Sequence, residues 1–194
     1  MVRTINFKNC DIKYWIDELP SISIPDKKTI IDAVFETTEA SFLRTEMAIE
    51  IFLHLDSNYY DYGLLGVEYT PIPEADYVEI VMNCSTNKNN NVKYEDSIIK
   101  SYSSVYVGIP EGYVNYVMNR VASYLISKNV QPGVLNFVVS VNDIVGSSPR
   151  LFGDLAEMLI NLIIHVNNRH GMQDLDKLVK EVFYASSLCF WRRR

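Results

Sequence analysis

The chain is poor in the residues that most often carry chemistry. It has three cysteines, Cys10, Cys84 and Cys189, far apart and odd in number, with no Cys-x-x-Cys. No disulfide framework is implied, which points to a reducing compartment, with a cytoplasmic location as the expectation. Histidine is as scarce: His54, His165 and His170. His165 and His170 are five apart across a helix end, which is not a usual metal-ligand spacing. There is no Gly-x-Ser-x-Gly, no phosphate-binding Gly-x-x-x-x-Gly-Lys-Ser/Thr and no glycine-rich loop after a strand, so no cofactor is expected. Met1 to Asn9 lacks an apolar core of the secretory type. The greasiest helix, Leu151 to Val166, carries Asp154, Glu157, Asn161 and His165, and is not expected to span a membrane. Basic residues are outnumbered, giving a formal net charge of −6. That weighs against general nucleic-acid binding and suits a basic protein partner.

What the chain does have is length, apolar content and tyrosine. With 194 residues and 48% hydrophobic side chains it can bury a core unaided. The first forty-five residues are expected to be a helical extension. Ile12, Trp15, Ile16 and Leu19 fall at i, i+3, i+4, i+7 before Pro20, and Ile30, Ile31, Val34 and Phe35 form a second short stripe. An α+β domain is expected over residues 46–194.

In that domain Met47, Ile49, Ile51, Leu53 and Leu55 alternate with Ala48, Glu50, Phe52 and His54, the period of a strand. The polar turn Asp56 to Asp61 leads to a second strand over Leu64 to Tyr69, and Val78, Ile80, Met82 and Cys84 mark a third. Val114, Val117, Met118, Val121 and Leu125 predict a helix after Pro110. Leu135, Phe137, Val139 and Val141 predict one face of a fourth strand. Ser148 and Pro149 start another helix through Leu151, Phe152, Leu155 and Leu159, and Leu175, Leu178, Val182 and Phe183 a last one. The expectation is a two-layer α/β sandwich, its mixed sheet of four or more strands covered by helices on one face.

Two groups of side chains are candidates for function. Tyr59, Tyr60 and Tyr62, with Asp61, crowd a hairpin tip, and tyrosine among Asp and Asn is the composition of a contact surface. Wetted rings covering a sheet edge explain the same residues. Glu50, Glu68 and Glu79 fall on the more polar strand face, where they are a partner-facing acidic patch, a metal-binding or acid/base pair, or a solvated surface.

One resemblance emerges from the middle of the chain. Gly108-Ile109-Pro110-Glu111-Gly112-Tyr113 with Val117 and Val121 resembles the start of a helix in domain IV of elongation factor G and the tetracycline ribosomal-protection proteins. Gly133, the strand to Val141 and Ser147-Ser148 with Phe152 look like that family's glycine turn, strand and Asp-Ser-Ser helix start. Upstream, Tyr62-Gly63 and Val67 to Pro73 are similar to its Tyr-Gly and Glu-Pro-Leu-Pro strand. The likeness covers about residues 46–167. It implies a domain rich in β-α-β connections and, as one partner, the ribosome. The family's histidine-bearing tip is replaced here by the short Asn142-Asp143-Ile144-Val145-Gly146, and Gly146 stands where the family has Asp. A translocase is therefore not expected. The preferred expectation is a non-enzymatic protein-binding module, of the immunity or inhibitor type, with a basic partner. The alternatives are a ribosome- or RNA-associated factor and an enzyme using the three glutamates. A homodimer through an open sheet edge is a further arrangement to consider.

Overall fold

A computed structural model of the chain describes residues 1–34, 42–55, 59–86, 92–99, 105–128, 130–168 and 174–190. The polar turn residues 56–58, the asparagine run 87–91, Phe35, Tyr102, His170 and the Arg192–Arg194 tail lie outside them.

The molecule is α+β. Eight strands form one mixed sheet: β1 (Val2–Phe7), β2 (Cys10–Ile16), β3 (Lys27–Val34), β4 (Thr45–His54), β5 (Tyr60–Pro71), β6 (Val78–Ser85), β7 (Val105–Val107) and β8 (Gly133–Asp143). Their order is β1-β2-β4-β5-β8-β6-β3, with β7 also on β8. Among the described strands only the β6–β8 pair is parallel, joined by a crossover through β7 and the first helix. The helices are α1 (Glu111–Ile126), α2 (Pro149–Asn168), α3 (Leu175–Ala185) and the single turn α4 (Ser187–Phe190).

The expected N-terminal helices are strands. Phe7 pairs with Cys10 across the two-residue turn Lys8-Asn9, closing a β1–β2 hairpin. β2 then pairs with β4, and β3 closes the opposite edge of the sheet against β6. The physical reason lies in two-sided burial. Ile12, Tyr14 and Ile16 face the helices while Trp15 faces the other way, and all four are buried. Buried apolar residues contributed by both faces, Ile12 and Ile16 from one and Trp15 from the other, mimic a helical stripe. The β-branched Thr29, Ile30, Ile31 and Val34 favour a strand on their own account.

The helices pack on one face. Met47, Ile49, Ile51, Leu65, Val67, Tyr69, Ile80 and Met82 point toward α1 and α2, where Val117, Val121, Phe152, Leu155 and Leu159 meet them with almost no exposure. α3 completes this layer over the first hairpin, with the Phe183 ring 5.3 Å from that of Phe7. Burying one such side chain contributes about 1.5–3 kcal/mol.

The opposite face is divided. Over β2, β4, β5 and the end of β8 a second cluster forms from Trp15, Ala48, Phe52, Tyr62, Leu64, Val139 and Val141, covered by residues 92–99 with Leu19 and Ile22. Over β3 and β6 the face is open, and Ile31 is 62% exposed. β8 serves both clusters because its register against β5 shifts between Gly66 and Val67. Val138 is the extra residue, so Leu135 and Phe137 face the helices while Val139 and Val141 face away. The single alternating face expected for this strand is thus broken in the middle.

Candidate functional site

The β4–β5 hairpin and the β8–α2 loop meet at one end of the sheet. Asp143, at the end of β8, is buried, and its carboxylate organises the loop. It accepts hydrogen bonds from the Tyr60 hydroxyl and from the Gly146 N–H at 3.2 Å. The Ser147 hydroxyl accepts from the Asp143 N–H at 2.8 Å and donates to the Tyr62 carbonyl at 2.6 Å. The Tyr62 N–H in turn donates to the Gly146 carbonyl at 2.8 Å. Gly146 is required here, since a Cβ would stand 2.4 Å from the Tyr60 ring.

This turn is pinned from several sides, yet it holds two aliphatic side chains in water. Ile144 is 71% exposed and Val145 74%. Tyr59, 69% exposed, and Leu55 lie at the same end, where the Leu55 N–H donates to the Tyr59 carbonyl. Four exposed apolar side chains thus share one end of the molecule.

A cleft of about 680 Å³ adjoins this end. Its wall is the start of α1, Pro110 to Tyr113 with Asn115. Tyr106 of β7, Asn142 and Asp143 at the end of β8, and Ile144 just beyond it lie opposite this wall. Gly108 takes φ 100°, a left-handed conformation that favours glycine. The Asn142 amide donates to the Gly108 carbonyl, and the Tyr113 hydroxyl to the Ser147 carbonyl at 3.1 Å. No side chain caps the N-terminus of α1. Among the described residues the lining includes the acidic Glu111 and Asp143 and no Lys or Arg; Lys28 reaches Glu111 in an ion pair.

The residues expected to bind a partner are dispersed. Tyr59 is on the surface, and Tyr60 is half-buried on Asp143. Asp61 points to the helix side, in a small recess with Arg150 and Asp154, and burial raises its pKa. Tyr62 and Glu50 are fully buried, which removes both from any contact surface. The cause is the covering segment 92–99, whose Ser97 and Ile98 bond to Glu50. Glu68 and Glu79 share the far face with Glu50 but do not approach it. Glu50 is opposite Leu64, four residues along β5 from Glu68, which is about 14 Å at strand rise. Glu79 is two strands from β5, about 10 Å across. Glu50 and Glu68 are too far apart for an acid/base pair, whose carboxyls sit closer than about 10 Å.

The two described histidines, His54 and His165, have separate partners. His54 lies 3.7 Å from Asp11, and the His165 Nδ1 is 2.8 Å from the Asn161 carbonyl. Among the described residues no cluster of His, Cys, Asp and Glu is arranged to hold a metal ion, and no helix is long and apolar enough to cross a membrane.

No protein-family model, curated protein or solved structure matches this chain. The likeness to domain IV of elongation factor G therefore rests on the order of its motifs. Sequence reasoning missed Ile144 and Val145 as candidates. The signal was there: two β-branched aliphatics inside a turn otherwise made of Asn, Asp, Gly and Ser.

Proposed function

We propose that the chain is a non-enzymatic protein-binding module whose recognition surface is the hairpin end of the sheet. The observation that carries this reading is the exposure of Ile144 and Val145 on a turn fixed by Asp143 and Ser147. Apolar side chains held rigidly in water mark an interaction surface, because a partner recovers their burial without ordering the loop. Tyr59 supplies an aromatic anchor beside them, and the cleft along α1 accepts a protruding side chain. The formal charge of −6 and the carboxylates Glu111 and Asp143 in the cleft lining favour a basic protein over a nucleic acid. Occlusion of a basic protein by an inhibitor-type partner fits this surface.

Affinity capture tests the reading. The wild-type chain is expected to retain a stoichiometric basic protein, with capture weakening as salt rises. The triple variant Tyr59→Ser, Ile144→Ser, Val145→Ser is expected to lose it, while Ile31→Ser on the open sheet face retains it. Equal capture by the triple variant removes the surface from consideration. Sedimentation with ribosomes at low salt, lost as salt rises, supports the ribosome-associated alternative instead.

A further inference from the structure

Residues 92–99 form a strap across the far face of the sheet. The strap runs antiparallel to β7: the Tyr94 N–H donates to the Val105 carbonyl at 3.0 Å, and the Val107 N–H to the Val92 carbonyl at 2.9 Å. Lys13 on β2 reaches the Asp96 carboxylate at 2.7 Å. Ile98, Ile99 and Tyr94 pack on Trp15, Phe52, Leu64 and Val141.

Beneath the strap lies Glu50, with no exposed surface. Its Oε1 accepts three hydrogen bonds: from the Tyr62 hydroxyl at 2.7 Å, the Ile98 N–H at 3.0 Å and the Ser97 hydroxyl at 3.1 Å. Two of these come from the strap. Its Oε2 is buried and has no hydrogen-bond partner among the described residues, and the same holds for the Tyr94 hydroxyl. One oxygen is thus saturated and the other bare. A proton placed on Oε2 discharges the carboxylate and leaves all three accepted bonds in place. An ionised carboxylate puts part of its charge on an oxygen that nothing solvates.

We propose that Glu50 is a proton-operated latch: the strap seats over the apolar far face when Glu50 is protonated and loosens when it is ionised. The groups that face it are Lys13 from β2, Tyr62 from β5, and Tyr94, Asp96 and Ser97 from the strap. Lys13 and the three donors favour the charged form, but burial outweighs them and raises the Glu50 pKa. The sign follows. The seated state holds the proton more tightly than an open, wetted state, so the contribution to closure is complete at low pH and is lost as pH rises through the raised value. Loosening uncovers Trp15 and Phe52, which gives the far face a pH-dependent apolar surface separate from the hairpin end.

Amide exchange on the full chain, corrected for intrinsic rates and followed from about pH 4 to about pH 8, tests the latch. Protection of the Ile98 amide is expected to fall roughly tenfold for each unit by which the seated pKa exceeds the free one. Glu50→Gln, which keeps an acceptor oxygen without a charge, is expected to hold Ile98 protected at all these pH values. Tyr62→Phe removes a donor to the charged form and is expected to move the transition to higher pH. Protection that is flat with pH in the wild type, or a Glu50→Gln profile that follows the wild type, overturns the proposal. So does an unmoved transition in Tyr62→Phe.

Discussion

The two faces of the sheet are stabilised by different physics. On the helix side, strand residues of one parity meet amphipathic helices, and the centre of the contact is apolar, from Val117 and Phe152 to Ile80 and Leu65. On the far side the cover is irregular, mainly residues 92–99 with Leu19 and Ile22, and at its centre sits a carboxyl group held by a tyrosine, a serine and one backbone amide. The first arrangement rests mainly on apolar burial and is costly to dilute. The second is responsive and less stable. Regions held by few apolar contacts and by polar groups open first.

The contrast can be broken at several points, in decreasing order of effect. Phe152→Ala, in the middle of the helix-side core and fully buried, is expected to cost about 3–5 kcal/mol in a denaturant titration. Arg120→Ala comes next. Arg120 bridges the buried Asp154 at 2.6 Å and Glu157 at 2.7 Å between α1 and α2. Removing it strands a carboxylate that is 1% exposed, at about 3 kcal/mol, and part of that loss is expected to return at low pH, since burial already raises the Asp154 pKa. Gly146→Ala drives a methyl group into the Tyr60 ring and is expected to cost about 1–3 kcal/mol, read as a lowered Tm. Tyr62→Phe removes one donor from Glu50 on the far face and is expected to cost about 1–2 kcal/mol. The pair Ile144→Ser, Val145→Ser is expected to leave stability within about 0.5 kcal/mol while weakening partner capture, which separates recognition from folding.

Much of the helix side is legible in the sequence, because its patterns are simple. Met47, Ile49, Ile51 and Leu53 read directly as one strand face, and the stripe from Val114 to Leu125 as one helix face. The far side is harder for physical reasons. Segment 92–99 has no period, so nothing in it announces that it buries Glu50 and Tyr62. Val138 inserts one residue into β8 and reverses the side-chain parity beyond it, which alternation alone does not reveal. The N-terminal strands imitate helices because Trp15 on the far face of β2 and Ile12 and Ile16 on the helix face fall at helical spacing and are all buried. At the candidate site the tip tyrosines were visible as a group, but only register and hydrogen bonding separate the exposed Tyr59 from the buried Tyr62. Ile144 and Val145 gain their meaning only once Asp143 and Ser147 are seen to fix the turn.

Native-state amide exchange at low denaturant tests the difference between the faces most directly. The amides of Leu155 and Leu159 in α2 are expected to exchange only through global unfolding, with a free energy that falls as denaturant is added. The Ile98 and Ile99 amides of the strap are expected to exchange faster, through a local opening that denaturant barely affects. Strap amides that exchange as slowly as those of α2, with the same denaturant dependence, would show that both faces open as one unit and would contradict the account.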